Sequence, residues 1–149
     1  FSSHIKRRMV MIDNNCAYCV EGELVAKFGI KICELETSKV YLFKEQSHPG
    51  RCIVAHKKHV GDMNELTAEE RAAYFEDVAR VARAIMAAFH PDKVNYGAYG
   101  DTGHHLHFHL CPKYKDEFEW GGVFLMNPDK KYLTDAEYAE MIEKIKANM

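Results

Sequence analysis

The sequence has no apolar run that approaches the roughly 20 residues of a membrane-spanning helix, and its charges are almost balanced. It contains 20 Lys and Arg residues against 22 Asp and Glu residues, for a formal net charge of −2. No basic block stands out, so the composition does not favour a protein that tracks nucleic-acid phosphates. We therefore expect neither a membrane partner nor a nucleic-acid partner. A small anionic substrate remains compatible, because a neutral protein can hold a locally positive site.

The cysteines do not have the pattern of a disulfide framework. There are five of them, an odd number. Two form a Cys-x-x-Cys motif, Cys16 and Cys19, in a polar stretch, whereas Cys33, Cys52 and Cys111 stand singly in apolar segments. This usage favours a reducing compartment.

The length of 149 residues fits one domain that buries about two-thirds of its unfolded surface. We see no internal repeat, low-complexity tract or linker, so we expect a single domain over residues 1–149. The basic residues at positions 6–8 are not followed by an apolar signal core. Together with the cysteine usage, this predicts a cytoplasmic protein.

Apolar patterning predicts an alternation of strands and helices. Strands are expected at 32–43, 51–55, 94–99 and 105–110, the last one closed by Pro112. Capping boxes at Thr67 and Thr134 predict a long helix to about Phe89 and a final helix to about Ala147, whereas 114–133 is expected to be irregular. The order favours an α+β fold with an antiparallel sheet of about five strands. One apolar stripe of the long helix should face the core: Tyr74, Val78, Val81, Ile85 and Phe89.

Residues 105–110 read His-Leu-His-Phe-His-Leu. Successive side chains of a strand point to opposite faces, so His105, His107 and His109 should share one face while the apolar residues enter the core. Imidazoles about 7 Å apart can serve a metal, an anionic substrate and a nucleophilic attack within one small site. The alternative is a solvated histidine face, or core histidines with satisfied hydrogen bonds.

His105 to Pro112 resembles the signature of the histidine triad (HIT) nucleotide hydrolases and transferases, in which histidines alternate with apolar residues. Further matches are the N-terminal Cys-x-x-Cys, the stretch 54–59 ending in Lys-Lys-His, and the capped helix before the triad. The resemblance covers about 16–113 and leaves 114–149 as a C-terminal extension. It implies an α+β fold, binding of purine nucleotides and a homodimer.

The resemblance assigns roles to the triad. His107 matches the nucleophile that attacks the α-phosphorus and forms a nucleotidyl-histidine intermediate. The flanking His105 and His109 are expected to orient phosphate oxygens or offset their charge. A histidine at 109 differs from the related uridylyltransferases, which have Gln there.

The resemblance also implies a zinc site, because several HIT proteins hold zinc through residues that match this chain. The matching ligands are Cys16, Cys19, His59 and His105. Two thiolates and two imidazoles suit a closed, tetrahedral structural zinc. Spacing alone leaves His56 as plausible a ligand as His59, and the cysteines could instead be an inert or a redox-active pair.

The chain departs from the family pattern near the substrate. Relatives have Gly-Gln-Ser or Gly-Gln-Thr before the triad, whereas the loop 100–104 is shorter and has no Gln. The Asp that holds the ribose is also missing, and Pro-Gly-Arg51 replaces the frequent Pro-Gly-His. The candidate substrate contacts are Asn95, Glu45, Thr102 and His104.

These residues predict a nucleotide hydrolase that releases a nucleoside monophosphate from a dinucleoside polyphosphate or a nucleoside phosphoramidate. The alternatives are a HIT nucleotidyltransferase and a purine-nucleotide-binding protein with little catalysis. Aromatic side chains of the C-terminal segment, at Phe118, Trp120 and Phe124, are expected to stack on a base or to pack on a second protomer. The sequence does not identify the base or the leaving group.

Overall fold

The computed structural model describes residues 13–149, so the first twelve positions of the predicted domain, including the basic residues at 6–8, lie outside the described residues. Its centre is a five-stranded antiparallel sheet in the order β1-β2-β3-β5-β4. The strands are β1 (Gly29–Glu34), β2 (Ser38–Phe43), β3 (Cys52–His56), β4 (Lys93–Gly97) and β5 (His107–Lys113). The helices are α1 (Ala17–Val20), α2 (Glu23–Ala26), α3 (Ala68–Phe89) and α4 (Asp135–Ala147). The α+β prediction is confirmed.

Both predicted long helices are present, and both begin with a complete capping box. The Thr67 hydroxyl accepts from the Glu70 N–H, and the Glu70 carboxylate accepts from the Thr67 N–H. Thr134 and Glu137 repeat this arrangement in α4. Helix α3 ends at Phe89, and the next residue has φ 51°. No helix among residues 13–149 is both long and apolar enough to cross a membrane.

Helices α3 and α4 cover one face of the sheet, where the main core lies. The predicted stripe of α3 enters this core, with Phe89 partly buried at its edge. Three apolar residues alternate with the triad histidines and enter the same core, as predicted: Leu106, Phe108 and Leu110.

The triad histidines lie on the opposite face of the sheet. His107 pairs with Ala55 of β3, and His109 pairs with Ile53. Ala55 and Ile53 belong to a second, smaller core that includes the Tyr18 ring from α1. The fold therefore places one end of the histidine face under the N-terminal helices.

Two strand predictions were wrong in extent. Residues 32–43 form two strands, β1 and β2, because the chain turns between them. Asp77 of α3 stabilises the turn. Its carboxylate accepts hydrogen bonds from the Thr37 N–H, the Thr37 hydroxyl and the Ser38 hydroxyl. The strand predicted at 94–99 is β4 and ends at Gly97.

The histidine strand also differs from its predicted bounds. β5 begins at His107, so His105 precedes it, and it continues through Pro112 to Lys113. Pairing with β3 ends at Leu110, and Pro112 lies opposite Val94 of the edge strand β4. A residue without an N–H is tolerated there because one side of the strand no longer has a partner.

Candidate functional site

His107 has a defined tautomer. Its Nδ1 lies 2.7 Å from the carbonyl oxygen of His105. A carbonyl oxygen only accepts, so Nδ1 donates and the lone pair of the neutral ring is on Nε2. Burial lowers the pKa of His107, which favours this neutral form. Nε2 has no hydrogen-bond partner among residues 13–149. It is not one of the side-chain atoms that are both unpaired and fully buried, so it is accessible from the site.

His105 has the opposite tautomer. Its Nε2 donates to the carbonyl oxygen of His56 at 2.6 Å, which leaves the lone pair on Nδ1. That nitrogen points toward the N-terminal cysteines, with Cys16 Sγ at 3.3 Å and Cys19 Sγ at 3.6 Å. Burial lowers the pKa of His105 to about 4. The triad alternation therefore serves two purposes, because adjacent histidines present different ring nitrogens to different groups.

Cys16, Cys19, His59 and His105 form one cluster, in which all four ligand atoms lie within 4.8 Å of one another. The Nδ1 atoms of His59 and His105 are 3.1 Å apart, and Cys19 Sγ is 3.2 Å from the Nδ1 of His59. A tetrahedral zinc with ordinary bond lengths has N–N separations of about 3.3 Å and S–N separations of about 3.6 Å. The cluster therefore fits a tetrahedral metal ion.

The surroundings of the cluster also fit a metal. The hydrogen bond from His105 to a backbone carbonyl fixes the ring, and His59 Nε2 lies 3.9 Å from Asp13 Oδ2. Such contacts on the far ring nitrogen orient metal-ligating histidines. Of the two histidines that spacing left open, His59 joins the cluster. His56 instead accepts from the Lys58 N–H through Nδ1 and packs on Tyr74.

Tyr18, between the two cysteines, was not singled out by the sequence. Its ring centroid is 5.3 Å from that of His105 and 5.0 Å from that of His107. The ring is buried and also contacts Phe28 and Tyr41. The sequence signal for Tyr18 was its position between Cys16 and Cys19, because any residue there must lie near both cysteines.

His109 contacts a buried arginine. Arg51 has its Nη2 3.1 Å from the Nδ1 of His109 and is 0% exposed. The same guanidinium donates to the carbonyl oxygens of Leu125 and Met126. Phe43 and Phe124 flank it at 4.1 and 4.9 Å from their ring centroids. The sequence showed the departure at position 51 but gave no reason to connect it with His109.

The aromatic residues of the C-terminal segment have different locations. Phe124 is buried, with its ring centroid 6.3 Å from that of His109. Phe118 packs on His48, which pairs with Glu119 at 2.7 Å. Trp120 is exposed. Only Phe124 of the three contacts the triad.

Glu45, the candidate ribose contact, makes hydrogen bonds within the protein. Its buried carboxylate accepts hydrogen bonds from the Ser47 N–H and hydroxyl and from the N–H groups of Lys130 and Lys131. Oε2 therefore holds the segment before α4, whereas Oε1 accepts from the Ser47 N–H. Glu45 thereby connects two segments that are 85 residues apart in sequence.

The other candidate substrate contacts lie on β4 and in the loop before β5. Asn95 is half-buried and pairs with Cys111, so it shares the face of His107 and His109. Thr102 and His104 are exposed in the loop before β5. The His104 ring lies where a Cβ on Gly61 would be, at 2.0 Å from that position. This contact directs His104 toward the segment after β3.

The chain belongs to the HIT domain family, whose model matches residues 29–116. Adenosine 5'-monophosphoramidase of Schizosaccharomyces pombe is 27% identical over 116 residues, which cover 72% of this chain and 80% of that protein. The match supports a nucleotide-binding protein or a nucleotide hydrolase at the level of the family.

Solved structures of HIT proteins share the fold. A histidine triad protein from Sinorhizobium meliloti superposes with a TM-score of 0.79 at 22% identity, over 86% of this chain and 95% of that one. A zinc-bound histidine triad family protein from Mycobacterium smegmatis superposes with a TM-score of 0.62 at 22% identity, over 90% of this chain and 92% of that one.

Proposed function

We propose that this protein hydrolyses a nucleoside phosphoramidate or a dinucleoside polyphosphate at the α-phosphorus through a nucleotidyl-His107 intermediate. The observation that carries the proposal is the hydrogen bond from His107 Nδ1 to the His105 carbonyl. It leaves the lone pair on Nε2, the ring nitrogen that is accessible from the site. The phosphoramidase activity named for the fission yeast relative belongs to the same substrate class.

The first step forms a bond between His107 Nε2 and the α-phosphorus. The bond from phosphorus to the leaving nitrogen or oxygen breaks, and the leaving group keeps the electron pair and takes a proton from water. As Nε2 becomes bonded and the ring becomes cationic, the His105 carbonyl stabilises the Nδ1–H, because a charge-assisted hydrogen bond is stronger than a neutral one. Fixed dipoles of this kind act without reorganisation during the reaction.

The second step returns the enzyme. Water attacks the phosphorus and loses a proton to solvent, the bond from phosphorus to Nε2 breaks, and its electron pair returns to the ring. The product is the nucleoside monophosphate. Asn95, Thr102 and His104 are further candidates for polar contacts with the nucleotide, because Asn95 shares the histidine face and the other two are exposed in the loop before β5.

AMP release from adenosine phosphoramidate, AMP-lysine and diadenosine tri- and tetraphosphate tests the proposal, with His107→Asn beside the wild type. His90→Asn is the matched control, because His90 is exposed at the end of α3 and Asn tolerates its positive φ. We expect His107→Asn to lose at least about 100-fold in kcat and His90→Asn to stay within about twofold. Retention of a tenth of wild-type turnover in His107→Asn would refute the nucleophile.

The same panel distinguishes the alternatives. A nucleotidyltransferase would transfer the nucleotide to added phosphate or sugar phosphate faster than to water. A binding protein would retain AMP and release none from any substrate. The observation against the transferase is His109, where the uridylyltransferases have Gln.

We further propose that the Cys16, Cys19, His59 and His105 cluster binds a structural zinc. The donor set is closed, with two thiols and two imidazoles, and the separations fit a tetrahedron. Burial raises the pKa of Cys19, so an ion must displace its proton on binding. When bound, the metal would hold the N-terminal helices against the histidine face.

The homodimer is also a proposal, supported by an edge strand and an apolar groove beside it. β4 is the last strand of the sheet, so one row of its backbone N–H and C=O groups has no strand partner. A groove of about 570 Å³ lies between β4 and α3. It is lined by Ala79, Ala82, Arg83, Met86, Ala87 and Tyr96.

A further inference from the structure

His109 and His107 are neighbours on one face, yet their ring nitrogens have different partners. His107 donates from Nδ1 to a carbonyl oxygen, whereas His109 has a guanidinium nitrogen 3.1 Å from its Nδ1. A guanidinium has no acceptor and stays protonated in proteins. The Nδ1 of His109 must therefore accept, and the hydrogen of the neutral ring is on Nε2.

Arg51 is held firmly enough to impose this arrangement. Its Nη1 donates to the Leu125 carbonyl at 3.1 Å, and its Nη2 donates to the Met126 carbonyl at 2.8 Å. Phe43 and Phe124 stack on the guanidinium from two sides. A planar, buried guanidinium with two carbonyl partners has little freedom to turn away from His109.

The Arg51 charge has no carboxylate partner within ion-pair distance in the described part of the chain. A buried cation is costly unless an anion or strong acceptors compensate it. The two carbonyls supply part of this compensation, while the Arg51 Nε is buried with no hydrogen-bond partner. An anion bound at the neighbouring histidines would supply the rest.

We propose that Arg51 is a positioning residue that holds His109 as a neutral ring with its hydrogen on Nε2, so that His109 donates a hydrogen bond to a phosphate oxygen of the substrate. His107 then supplies a lone pair and His109 supplies a hydrogen, from the same face and through the same ring atom. The role at the phosphate rests on the proposed function. The tautomer of His109 does not.

Electrostatics support the neutral form. Burial first, and then the positive charge of Arg51 and the His107 ring, lower the pKa of His109 to about 2. Arg51 comes from the segment before β3, and His107 comes from β5. Phe43 and Phe124 contribute only their rings. Burial and the Arg51 charge therefore both favour the neutral His109 ring.

The first test is the imidazole ¹⁵N spectrum of the wild-type protein, with the His109 resonances assigned from their loss in His109→Gln. We expect an unprotonated Nδ1 and a protonated Nε2 from pH 7 down to pH 5, and a shift of the Nε2–H signal when AMP is added. A hydrogen on Nδ1, or a doubly protonated ring at pH 7, would overturn the proposal. This measurement needs neither turnover nor a substitution at Arg51.

The second test compares Arg51→Met with Arg51→Lys. Met keeps the length without a donor, whereas Lys keeps a charged donor for the His109 Nδ1. We expect Arg51→Met to populate both tautomers, to become protonated on His109 by about pH 5, and to lose at least about tenfold in kcat. Arg51→Lys should keep the Nε2–H tautomer and recover most of the kcat.

Lys113→Met is the matched control. Lys113 is also buried, and its Nζ donates to the carbonyls of Glu119 and Gly122 in the same C-terminal segment. The Lys113→Met substitution removes a buried cation that does not contact His109, so kcat should stay within about threefold of wild type. An equal loss in Lys113→Met and Arg51→Met, with the His109 tautomer unchanged, would reduce Arg51 to an anchor of that segment and overturn the proposal.

The outcomes separate the two proposals. If His109 carries its hydrogen on Nε2 but the protein hydrolyses no substrate of the panel, the proposed function is refuted and the effect of Arg51 on His109 is supported. Turnover through His107 with a hydrogen on Nδ1 of His109 would support the function and refute the role of Arg51. Thermal unfolding of each variant identifies any that fail to fold, and the wild-type spectrum then decides.

Discussion

The Tyr18 ring lies against the ring of His107, with 5.0 Å between the centroids and 37° between the planes. Tyr18 is also between the two cysteines of the metal-type cluster, and its ring contacts His105 as well. One side chain therefore connects the cluster to the proposed nucleophile. Through this ring the proposed zinc would act on the proposed nucleophile without touching the substrate.

We expect Tyr18→Ala to lower the free energy of unfolding by about 3 kcal/mol, because a buried aromatic ring is removed. It should also lower kcat/KM by about tenfold, since His107 loses the ring that packs on it. Tyr18→Phe is the control that keeps the ring, and it should stay within about twofold in activity. Urea unfolding and AMP release measure the two effects. Full activity in Tyr18→Ala would show that the contact does not position His107.

The cluster predicts about one zinc per chain in protein purified without chelator. Cys19→Ser should lose the metal, and its thermal midpoint should fall by about 10 °C, because a closed Cys and His site contributes its binding energy to folding. Cys33→Ser is the matched control, since Cys33 is half-buried and outside the cluster. Metal analysis and thermal unfolding provide the readouts. Less than about 0.2 zinc per wild-type chain would refute the site, because such sites bind tightly.

Glu45 predicts a change in stability rather than in nucleotide binding. Glu45→Ala leaves four donors of two chain segments without their acceptor and should cost about 2 kcal/mol at pH 7. The affinity for AMP should change by less than about threefold, because the buried carboxylate already accepts from four donors of the protein. Urea unfolding and an AMP titration test this. A tenfold loss of AMP affinity at unchanged stability would restore Glu45 as a substrate contact.

The contribution of Glu45 should depend on pH. Burial acts to raise the pKa of its carboxyl, but the hydrogen bonds from Ser47, Lys130 and Lys131 outweigh burial and lower the pKa below the reference value of 4.5. A lowered folded-state pKa gives stability that is complete above the unfolded-state pKa and is lost as the pH falls through the folded-state pKa. The difference in unfolding free energy between wild type and Glu45→Ala should therefore be constant from pH 7 to about pH 5 and shrink below pH 4. A difference that grows on acidification would contradict this.

The groove beside β4 predicts the oligomeric state. Ala87→Glu places a charge on the groove and should convert the protein to a monomer of about 17.2 kDa. Ala139→Glu makes the same change at an exposed position of α4 and should leave the dimer intact. Light scattering after size exclusion gives both masses. A wild-type monomer at micromolar concentration would refute the dimer.

Much of the architecture could be predicted because its signals are local. Two capping boxes indicated where α3 and α4 begin, and Pro91 indicated where α3 ends. The triad alternation placed Phe108 in the core and His107 on the other face. The hairpin of β1 and β2 was missed because its turn depends on Asp77, which is 40 residues from Thr37 in sequence.

The sequence by itself determined the side-chain alternation of the triad and the residue types of the metal-type cluster, because both follow from short-range geometry and donor chemistry. Only the tertiary structure decided which histidine joins the cysteines, that Glu45 accepts hydrogen bonds from the segment before α4, and which nitrogen of each triad histidine carries the hydrogen. A tautomer depends on the partner that approaches the ring. For His109 that partner is Arg51, which is 58 residues away and reaches it only because β3 pairs with β5.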